Sequence, residues 1–488
     1  MPLQRIVVGL RPAPVHAGTG HSSLKIATCG WACLVLLASL LWQAKAAAAA
    51  HRPVVEVEEQ VYACQPSNNG SGPLWCAGST CLVRSGDTVF ASGCETIPGA
   101  QPLNNVRWTL WKRGPGGWEL QRADPTGRTR EPSPLAVFSD GRLLLSANPT
   151  LAPPEKRAGP ARPEILEFKA ADPTGPFQTL RPEWNGTPAF TEHSYRSFAA
   201  DGPGRELILF QNIGYTHSEW ALLSADGRWS ARGRLTWPWG AEYDKPQPIR
   251  VCYPTVMLRG RAVHFCGVSD IVEPYARWRQ YKEKLTGQHW DYDFRRLFYT
   301  WSDDVSSGKF HDWVEIASRD KTCGWIMPCD LWLDPAGVVH LLWTERAIDT
   351  RLRKEFFPEA RQSAALCYGR VSQGKLVSRR AIVEAVEGRS RETPEWGRFQ
   401  ITPDGRLFVV GYVDGHSDDG KPLAENRLWE LGADGSLGPS CRLPMKFPLA
   451  KYFTATVRGG SAPSTTLDLL GTSSAAPATI RYARVRLW

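Results

Sequence analysis

Three features are scarce in this 488-residue chain, and each scarcity argues against a class of protein. No run of lysine and arginine occurs, and a formal net charge of +9 is too weak to indicate nucleic-acid binding. An apolar stretch that approaches membrane-spanning length occurs only at 26–42, "IATCGWACLVLLASLLW". Helical periodicity is almost missing after residue 50, which argues against helical bundles and alternating α/β folds.

The apolar stretch has the flanks of a secretory signal peptide. Arg5, Arg11 and Lys25 precede it, and the small-residue tract "QAKAAAAAH" follows it. We expect residues 1–50 to be a signal peptide cleaved near 47–50; an uncleaved membrane anchor is the alternative. Because 1–50 hold four basic and no acidic residues, the remainder carries about +5. This predicts a secreted or periplasmic protein that is not held at a membrane after cleavage.

The whole chain contains 44 glycines, 38 prolines and 21 tryptophans, and after residue 50 they lie between short β-rich runs. One unit, a strand, a tight Gly-containing turn and a second apolar strand, recurs seven times about 55 to 75 residues apart. The copies lie at 81–93, 135–147, 196–212, 254–267, 330–345, 398–413 and 454–471. Each is followed by another strand pair, which predicts an all-β, seven-bladed β-propeller of four-stranded antiparallel blades over 51–488. A two-domain β-sandwich is the alternative.

Two further expectations follow from this architecture. The strand-like 53–61 should pair with 479–487 and close the ring without a free sheet edge. Long stretches at about 271–296 and 346–362 interrupt the pattern and should be insertions on the rim, where they shape a binding surface or pack as solvated helices. We expect the propeller to be a monomer.

Candidate site residues follow from hairpin geometry, because the residues that enter each innermost strand meet at one mouth of the central channel. His193 and His217 bracket one hairpin, and Arg250 and Tyr253 enter the next blade. Tyr195, Arg196, Arg277, Trp325, Arg398 and Tyr452 are candidate substrate-binding residues at this mouth. Arginines hold carboxylates or sulfates and aromatic rings stack on sugars, so the mixture predicts an acidic polysaccharide as partner. Solvated histidines, inter-blade ion pairs and inter-blade packing are the simpler explanations.

Cysteine usage points to disulfides. Ten of the 12 cysteines follow the predicted signal peptide, an even number in an exported chain. We expect Cys252–Cys266, Cys323–Cys329 and Cys367–Cys441, with pairing among Cys64, Cys76, Cys81 and Cys94. The alternative for one pair is a structural zinc held by Cys252, His264 and Cys266.

The His-bearing hairpin, the "RVCYP" entry at 250–254 and the seven hairpins together resemble the BNR, sialidase-like propellers of polysaccharide lyases, with ulvan lyase families 24 and 25 nearest. The resemblance implies a site of two histidines, a tyrosine and an arginine, of which His193, His217 and Tyr253 have counterparts. The arginine is missing, because the strand that should carry it reads "AVHFCGVSD" at 262–270. Arg250, Arg277 or Arg196 could replace it. The resemblance also implies a structural zinc and no cofactor for the chemistry.

Such lyases act by β-elimination, which needs a base, an acid and a cation that neutralises the uronate carboxylate. The first alternative is a sialidase-like hydrolase, for which Glu192, Glu242, Asp244 and Glu395 supply carboxylates and Arg196, Arg250 and Arg398 supply cations. The second alternative is a non-catalytic propeller that binds glycan or protein.

Overall fold

The computed structural model describes residues 52–417 and 419–488. The predicted signal peptide therefore lies outside the described residues. Among the helices of the described part, none is long and apolar enough to cross a membrane.

Seven four-stranded antiparallel sheets form within the described residues, as the sequence predicts. The first half of the chain contains strand β1 (Val54–Ala63), the strands of blades 1 to 3 and one small hairpin. Blade 1 consists of β2 (Leu82–Ser85), β3 (Thr88–Thr96), β4 (Val106–Gly114) and β5 (Gly117–Ala123). Blade 2 consists of β6 (Leu135–Val137), β7 (Arg142–Ala147), β8 (Glu164–Lys169) and β9 (Gln178–Leu180). Blade 3 consists of β10 (Ser197–Asp201), β11 (Glu206–Ile213), β12 (His217–Leu223) and β13 (Trp229–Thr236), and the small hairpin after it consists of β14 (Trp239–Gly240) and β15 (Gln247–Pro248).

The second half contains blades 4 to 7. Blade 4 is β16 (Val251–Arg259), β17 (Ala262–Ser269), β20 (Arg296–Ser302) and β21 (Val314–Ser318), interrupted by β18 (Ile271–Val272), helix α1 (Ala276–Thr286) and β19 (Tyr292–Asp293); blade 5 is β22 (Trp325–Leu333), β23 (Val339–Arg346), β24 (Ser363–Ser372) and β25 (Lys375–Val386), with α2 (Arg353–Phe356) between β23 and β24; blade 6 is β26 (Glu392–Ile401), β27 (Leu407–His416), β28 (Pro422–Leu431) and β29 (Cys441–Arg442); blade 7 is β30 (Lys451–Thr454), β31 (Thr466–Ser473), β32 (Ala476–Arg486) and β1. Short 3-10 turns cover Val305–Ser307 and Asp320–Thr322.

In blades 1, 2, 3, 5 and 6 the first two strands form the predicted tight hairpin, because a turn with a short polar side chain reverses the chain between two apolar strands. Blade 4 turns at Gly260-Arg261, and blade 7 uses the longer loop 455–465. In blade 3, Asp201 pairs with Glu206 across the turn, and its carboxylate accepts the backbone N–H of Gly204 at 3.0 Å. The strand that follows this turn, β11, is fully buried from Leu207 to Phe210. The hydrophobic core therefore lies between the blades, where strands are covered on both faces.

Strand β1 is the outermost strand of blade 7. It pairs antiparallel with β32 from Val54 opposite Arg486 to Ala63 opposite Thr479. The predicted closure of the ring is confirmed, and the pairing covers what would otherwise be an open sheet edge.

The propeller has two different faces. The first strand of every blade begins at one face, which we call the mouth face, and its hairpin turn lies at the other, the turn face. Second strands return to the mouth face, so the two long connections after β17 and β23 lie there. These are the predicted insertions at 271–296 and 346–362, and they carry α1 and α2.

Residues 73–80, which we call the axial segment, occupy the propeller axis. They lead from β1 to β2 and contact the inner strands of several blades. Arg398 of blade 6 donates to the carbonyl of Ala77, and Arg458 of blade 7 donates to that of Gly78 at 2.9 Å. The backbone N–H of Phe198 in blade 3 donates to the Ser79 hydroxyl at 3.1 Å. The chain itself therefore occupies part of the central channel.

The predicted disulfides do not form in this structure, since Cys252, Cys266, Cys323, Cys329 and Cys367 are free thiols, as are the four N-terminal cysteines Cys64, Cys76, Cys81 and Cys94. Cys266 lies opposite Thr255, and Cys252 lies opposite Val268. A β-bulge between Cys252 and Thr255 shifts the register there, so the expected cross-strand pair does not form.

Candidate functional site

A cavity of about 310 Å³ opens at the mouth face beside the axial segment. It is lined by Gly70, Trp75, Arg130, His193, Tyr195, Tyr215, Arg250, Tyr253 and Tyr292. Four of the residues predicted from strand entries, at 193, 195, 250 and 253, therefore share one cavity, which we call the aromatic cavity. The others come from connecting loops, whose path no repeat pattern in the sequence reveals.

His193 is held by a buried carboxylate. Its Nδ1 lies 3.1 Å from Oε1 of Glu131, which is 1% exposed and also accepts the backbone N–H of Ser194 at 2.9 Å. Burial acts to raise the pKa of Glu131, but the hydrogen bond and charge of His193, the charge of Arg196 and the hydrogen bond of Ser194 together outweigh burial, and the net pKa is lowered. An ionised Glu131 fixes the proton on Nδ1 and leaves Nε2 as a proton acceptor.

Two tyrosines of the cavity have strained backbones. Tyr195 has a φ of 40° and Tyr253 a φ of 50°, in the left-handed region that bulky residues rarely adopt. Their rings meet edge to face with centroids 5.3 Å apart, and Trp75 contacts both rings. Burial raises the pKa of each phenol far above its ordinary value, so both stay protonated at neutral pH. Tyr253 is thus placed as a proton donor.

Arg250 forms the back of the cavity and is almost fully buried. Its Nη2 lies 3.0 Å from Oδ1 of Asp270, and its Nε donates to the Asp270 carbonyl at 2.9 Å. Its guanidinium lies 4.1 Å from the ring centroid of Tyr215, and the Tyr215 hydroxyl lies 2.7 Å from that of Tyr292. Since its charge is already balanced by Asp270, Arg250 orients the aromatic rings more than it attracts an anion.

Arg130 is the second cation of the cavity and was missed in the sequence. It lies in the loop between β5 and β6, and its Nε donates to the carbonyl of Asn69 at 3.0 Å. No carboxylate among residues 52–417 and 419–488 pairs with it. Glu131, its neighbour in sequence, is the partner of His193, so the same loop supplies two groups of the site.

Aspartate and glutamate are missing from the lining of the aromatic cavity, as far as the described residues go. The four carboxylates considered for hydrolysis lie elsewhere: Glu192 accepts the backbone N–H of Gly159, Glu242 pairs with Arg296, Asp244 accepts the backbone N–H of Ala276, and Glu395 pairs with Arg346. A sialidase-like hydrolase needs a Glu beside its tyrosine nucleophile and an Asp as acid/base, and the lining of this cavity supplies neither carboxylate.

His217 and Arg277 lie outside the aromatic cavity. His217 begins β12, the third strand of blade 3, so it is displaced outward from the axis. Its Nε2 lies 3.0 Å from Oε1 of Glu219 and its Nδ1 lies 2.7 Å from the Thr216 hydroxyl. Burial and the charge of Arg234 lower the pKa of His217. Arg277 is exposed on α1, where its guanidinium covers the ring of Phe356.

Arg196, Arg398 and Tyr452 are buried along the axis, and this burial does not fit the expected contact with substrate. Arg196 donates to the backbone carbonyl of Pro132. The Tyr452 hydroxyl donates to the backbone carbonyl of Val410 at 2.8 Å. The sequence predicted their positions near the inner strands correctly, but their side chains are buried inside the propeller. Trp325 remains partly exposed and lines a second cavity.

The zinc alternative fails on geometry. Within the described part of the chain, no group of three His, Cys, Asp or Glu side chains is arranged to hold a metal ion. Nδ1 of His264 instead bonds the Tyr299 hydroxyl at 2.8 Å, and burial lowers the pKa of His264 to about 4. Cys252 and Cys266 are not opposite one another in the sheet. These residues do not fit a zinc site.

No family model and no curated protein matches this chain. Solved structures do resemble it in outline. A protein of unknown function from Dyadobacter fermentans is 12% identical over 89% of this chain and 99% of its own, with a TM-score of 0.41. The GH93 α-L-arabinofuranosidase of Fusarium graminearum, in complex with arabinobiose, is 10% identical over 89% of this chain and 98% of its own, with a TM-score of 0.41. An α-L-arabinanase of Penicillium chrysogenum, complexed with arabinobiose, is 11% identical over 89% of this chain and 99% of its own, with a TM-score of 0.40.

Proposed function

We propose that this propeller binds a uronate unit of an acidic polysaccharide in the aromatic cavity and cleaves the chain there by β-elimination. The observation that carries the proposal is the composition of that cavity: a carboxylate-backed histidine, a protonated tyrosine and an uncommitted arginine, with no carboxylate in the lining. We further propose that it acts on polysaccharide outside the cytoplasm, as the first 50 residues predict.

In the proposed reaction, Nε2 of His193 removes the proton from the carbon next to the uronate carboxylate. Arg130 neutralises that carboxylate, which makes the proton more acidic. As the carbon–carbon double bond forms, the bond to the leaving oxygen breaks, and the Tyr253 hydroxyl protonates that oxygen. Arg130 thus supplies the cation that the polysaccharide-lyase pattern lacks in strand β17.

A panel of uronic-acid polysaccharides tests the proposal, because the unsaturated product absorbs in the ultraviolet. We expect an absorbance gain with at least one polymer. The variants His193→Gln, Tyr253→Phe and Arg130→Gln should each reduce turnover roughly 100-fold or more. The matched control is His311→Gln, a half-exposed histidine of blade 4 far from the mouth, which should retain wild-type turnover.

Retained binding without any absorbance gain would overturn the catalytic part and favour a glycan-binding propeller. Binding supported equally by the His193→Gln and Arg130→Gln variants would also remove the aromatic cavity from the proposal.

A further inference from the structure

A second cavity of about 380 Å³ lies at the mouth face between blades 4 and 5. Its walls come from both insertions, since residues 292–295 follow α1 and residues 348–351 precede α2. Trp325, at the start of β22, lines its edge and is partly exposed. Cys323 beside it has a φ of 48°, so this cavity, like the first, is built around strained backbone.

The two cavities share a wall. Tyr292 lines both, and Phe294, which lines the second, contacts the ring of Tyr253 in the first at 5.8 Å between centroids. A polymer that places one sugar in the aromatic cavity therefore reaches the second cavity by crossing only residues 292–294.

The lining of the second cavity carries an excess of positive charge. Its cationic side chains are Lys282, Arg295, Arg346 and Arg351, against the carboxylates of Asp293 and Asp349. Three of these cations are committed. Buried Glu273 binds Lys282 at 2.7 Å and Arg295 at 2.8 Å, and Asp349 binds Arg351 at 2.6 Å. Asp293 is fully buried, and burial raises its pKa to about 6, which weakens its negative charge near neutrality.

Arg346 is the cation that a ligand can recruit. Its side chain is 47% exposed, and it lies over the Trp325 ring at 6.0 Å from the centroid. Its partner Glu395 is also partly exposed, and an ion pair in contact with water contributes little free energy. An incoming anion can therefore take the place of Glu395 at small cost.

We propose that this second cavity is a subsite for a neighbouring acidic sugar of the same polysaccharide, stacked on Trp325 and held by Arg346. The inference rests on the proposed function, and it adds that the substrate is recognised over more than one unit. Because the anchoring residues come from the two insertions and β22, affinity should increase with chain length.

Calorimetric binding of two-sugar and six-sugar fragments of polyglucuronate, polygalacturonate and chondroitin sulfate tests this subsite. We expect the six-sugar fragment of the preferred polymer to bind at least tenfold more tightly than its two-sugar fragment. Trp325→Ala and Arg346→Gln should each remove most of that gain and leave two-sugar binding unchanged. Arg228→Gln is the matched control, since Arg228 is an exposed arginine at the turn face.

Equal affinity for short and long fragments, or an unchanged gain in both variants, would overturn the subsite while leaving the proposed function intact. Failure of the wild-type protein to bind any fragment would instead overturn both.

Discussion

Two histidines at the same face of blade 3 differ in what surrounds each ring. His193 has one nitrogen fixed by buried Glu131 and its ring against Trp75 and Tyr195, at the aromatic cavity. Both nitrogens of His217 are engaged, one by Thr216 and the other by Glu219. An acid–base role in the cavity therefore suits His193, and its quality as a base depends on the carboxylate behind it.

Substituting Glu131 tests that dependence. In Glu131→Gln, the amide no longer stabilises a protonated His193, so we expect turnover to fall roughly 100-fold with little change in KM. Measuring kcat and KM of the variant separately checks this, and an unchanged kcat would mean that Glu131 only supports the fold.

His264 predicts a pH dependence of stability. Burial lowers its pKa from about 6.5 to about 4, so the unfolded chain binds its proton first. The contribution of neutral His264 to the free energy of unfolding is therefore complete above pH 6.5. It is lost as the pH falls through 4, and the loss amounts to roughly 3 kcal/mol. His264→Gln, which keeps a partner for Tyr299, should flatten this loss in urea titrations at pH 7 and pH 4.5. The half-exposed His311→Gln should not.

At the scale of elements, the axial segment joins the fold to the site. Trp75 forms one wall of the aromatic cavity, while Ala77 and Gly78 bond to arginines of blades 6 and 7. A Cβ at Gly78 would lie 1.9 Å from the carbonyl oxygen of Pro254, next to the bulge that holds Tyr253. The segment therefore fixes the backbone on which the proposed acid depends.

Gly78→Ala should consequently affect both stability and site. We expect the free energy of unfolding to fall by roughly 3 kcal/mol, since backbone atoms must move to admit the methyl group. Gly72→Ala is the control, because no atom lies within 4 Å of a Cβ there. Urea unfolding of the two variants, with uronate binding measured on each, checks this prediction. Equal stability of the two would show that the axis accommodates a side chain.

The elements themselves were predictable from sequence, and the connections were not. Tight Gly-containing turns between apolar runs mark each inner hairpin, so strand entries such as Tyr195 and Tyr253 could be assigned to one mouth. Arg130 and Tyr292 lie in connections without periodicity, and only the folded chain brings them to the cavity. The strand register predicted around Cys252 and Cys266 was wrong because the strand has a β-bulge at Tyr253 and Pro254, and such a bulge cannot be recognised from the pattern of apolar residues.

At the scale of the whole molecule, a buried ion pair on the axis links distant blades. Nη2 of Arg458 in blade 7 lies 2.6 Å from Oδ1 of Asp330 in blade 5, and both side chains are at most 2% exposed. Asp330 also accepts the backbone N–H of Phe399 in blade 6 at 2.9 Å. Three blades therefore meet at one carboxylate.

Removing one charge of this pair should lower the free energy of unfolding more than removing both charges does. Arg458→Met leaves Asp330 buried and unpaired, and we expect a loss of about 3–5 kcal/mol in the free energy of unfolding. Adding Asp330→Asn, which keeps an acceptor for Phe399, should restore part of that loss. Denaturant unfolding of the single and double variants measures it, and equal values would show that the unpaired charge of Asp330 costs no stability.

The pairing of β1 with β32 has a consequence for the order in which the protein is made. Val54 emerges from the ribosome early, yet its partner Arg486 is synthesised more than 400 residues later. The ring cannot close during most of synthesis, and joining such distant segments is entropically slow. Until that moment β1 lacks its partner strand β32, so a nascent or truncated chain exposes an unpaired strand edge through which copies can aggregate.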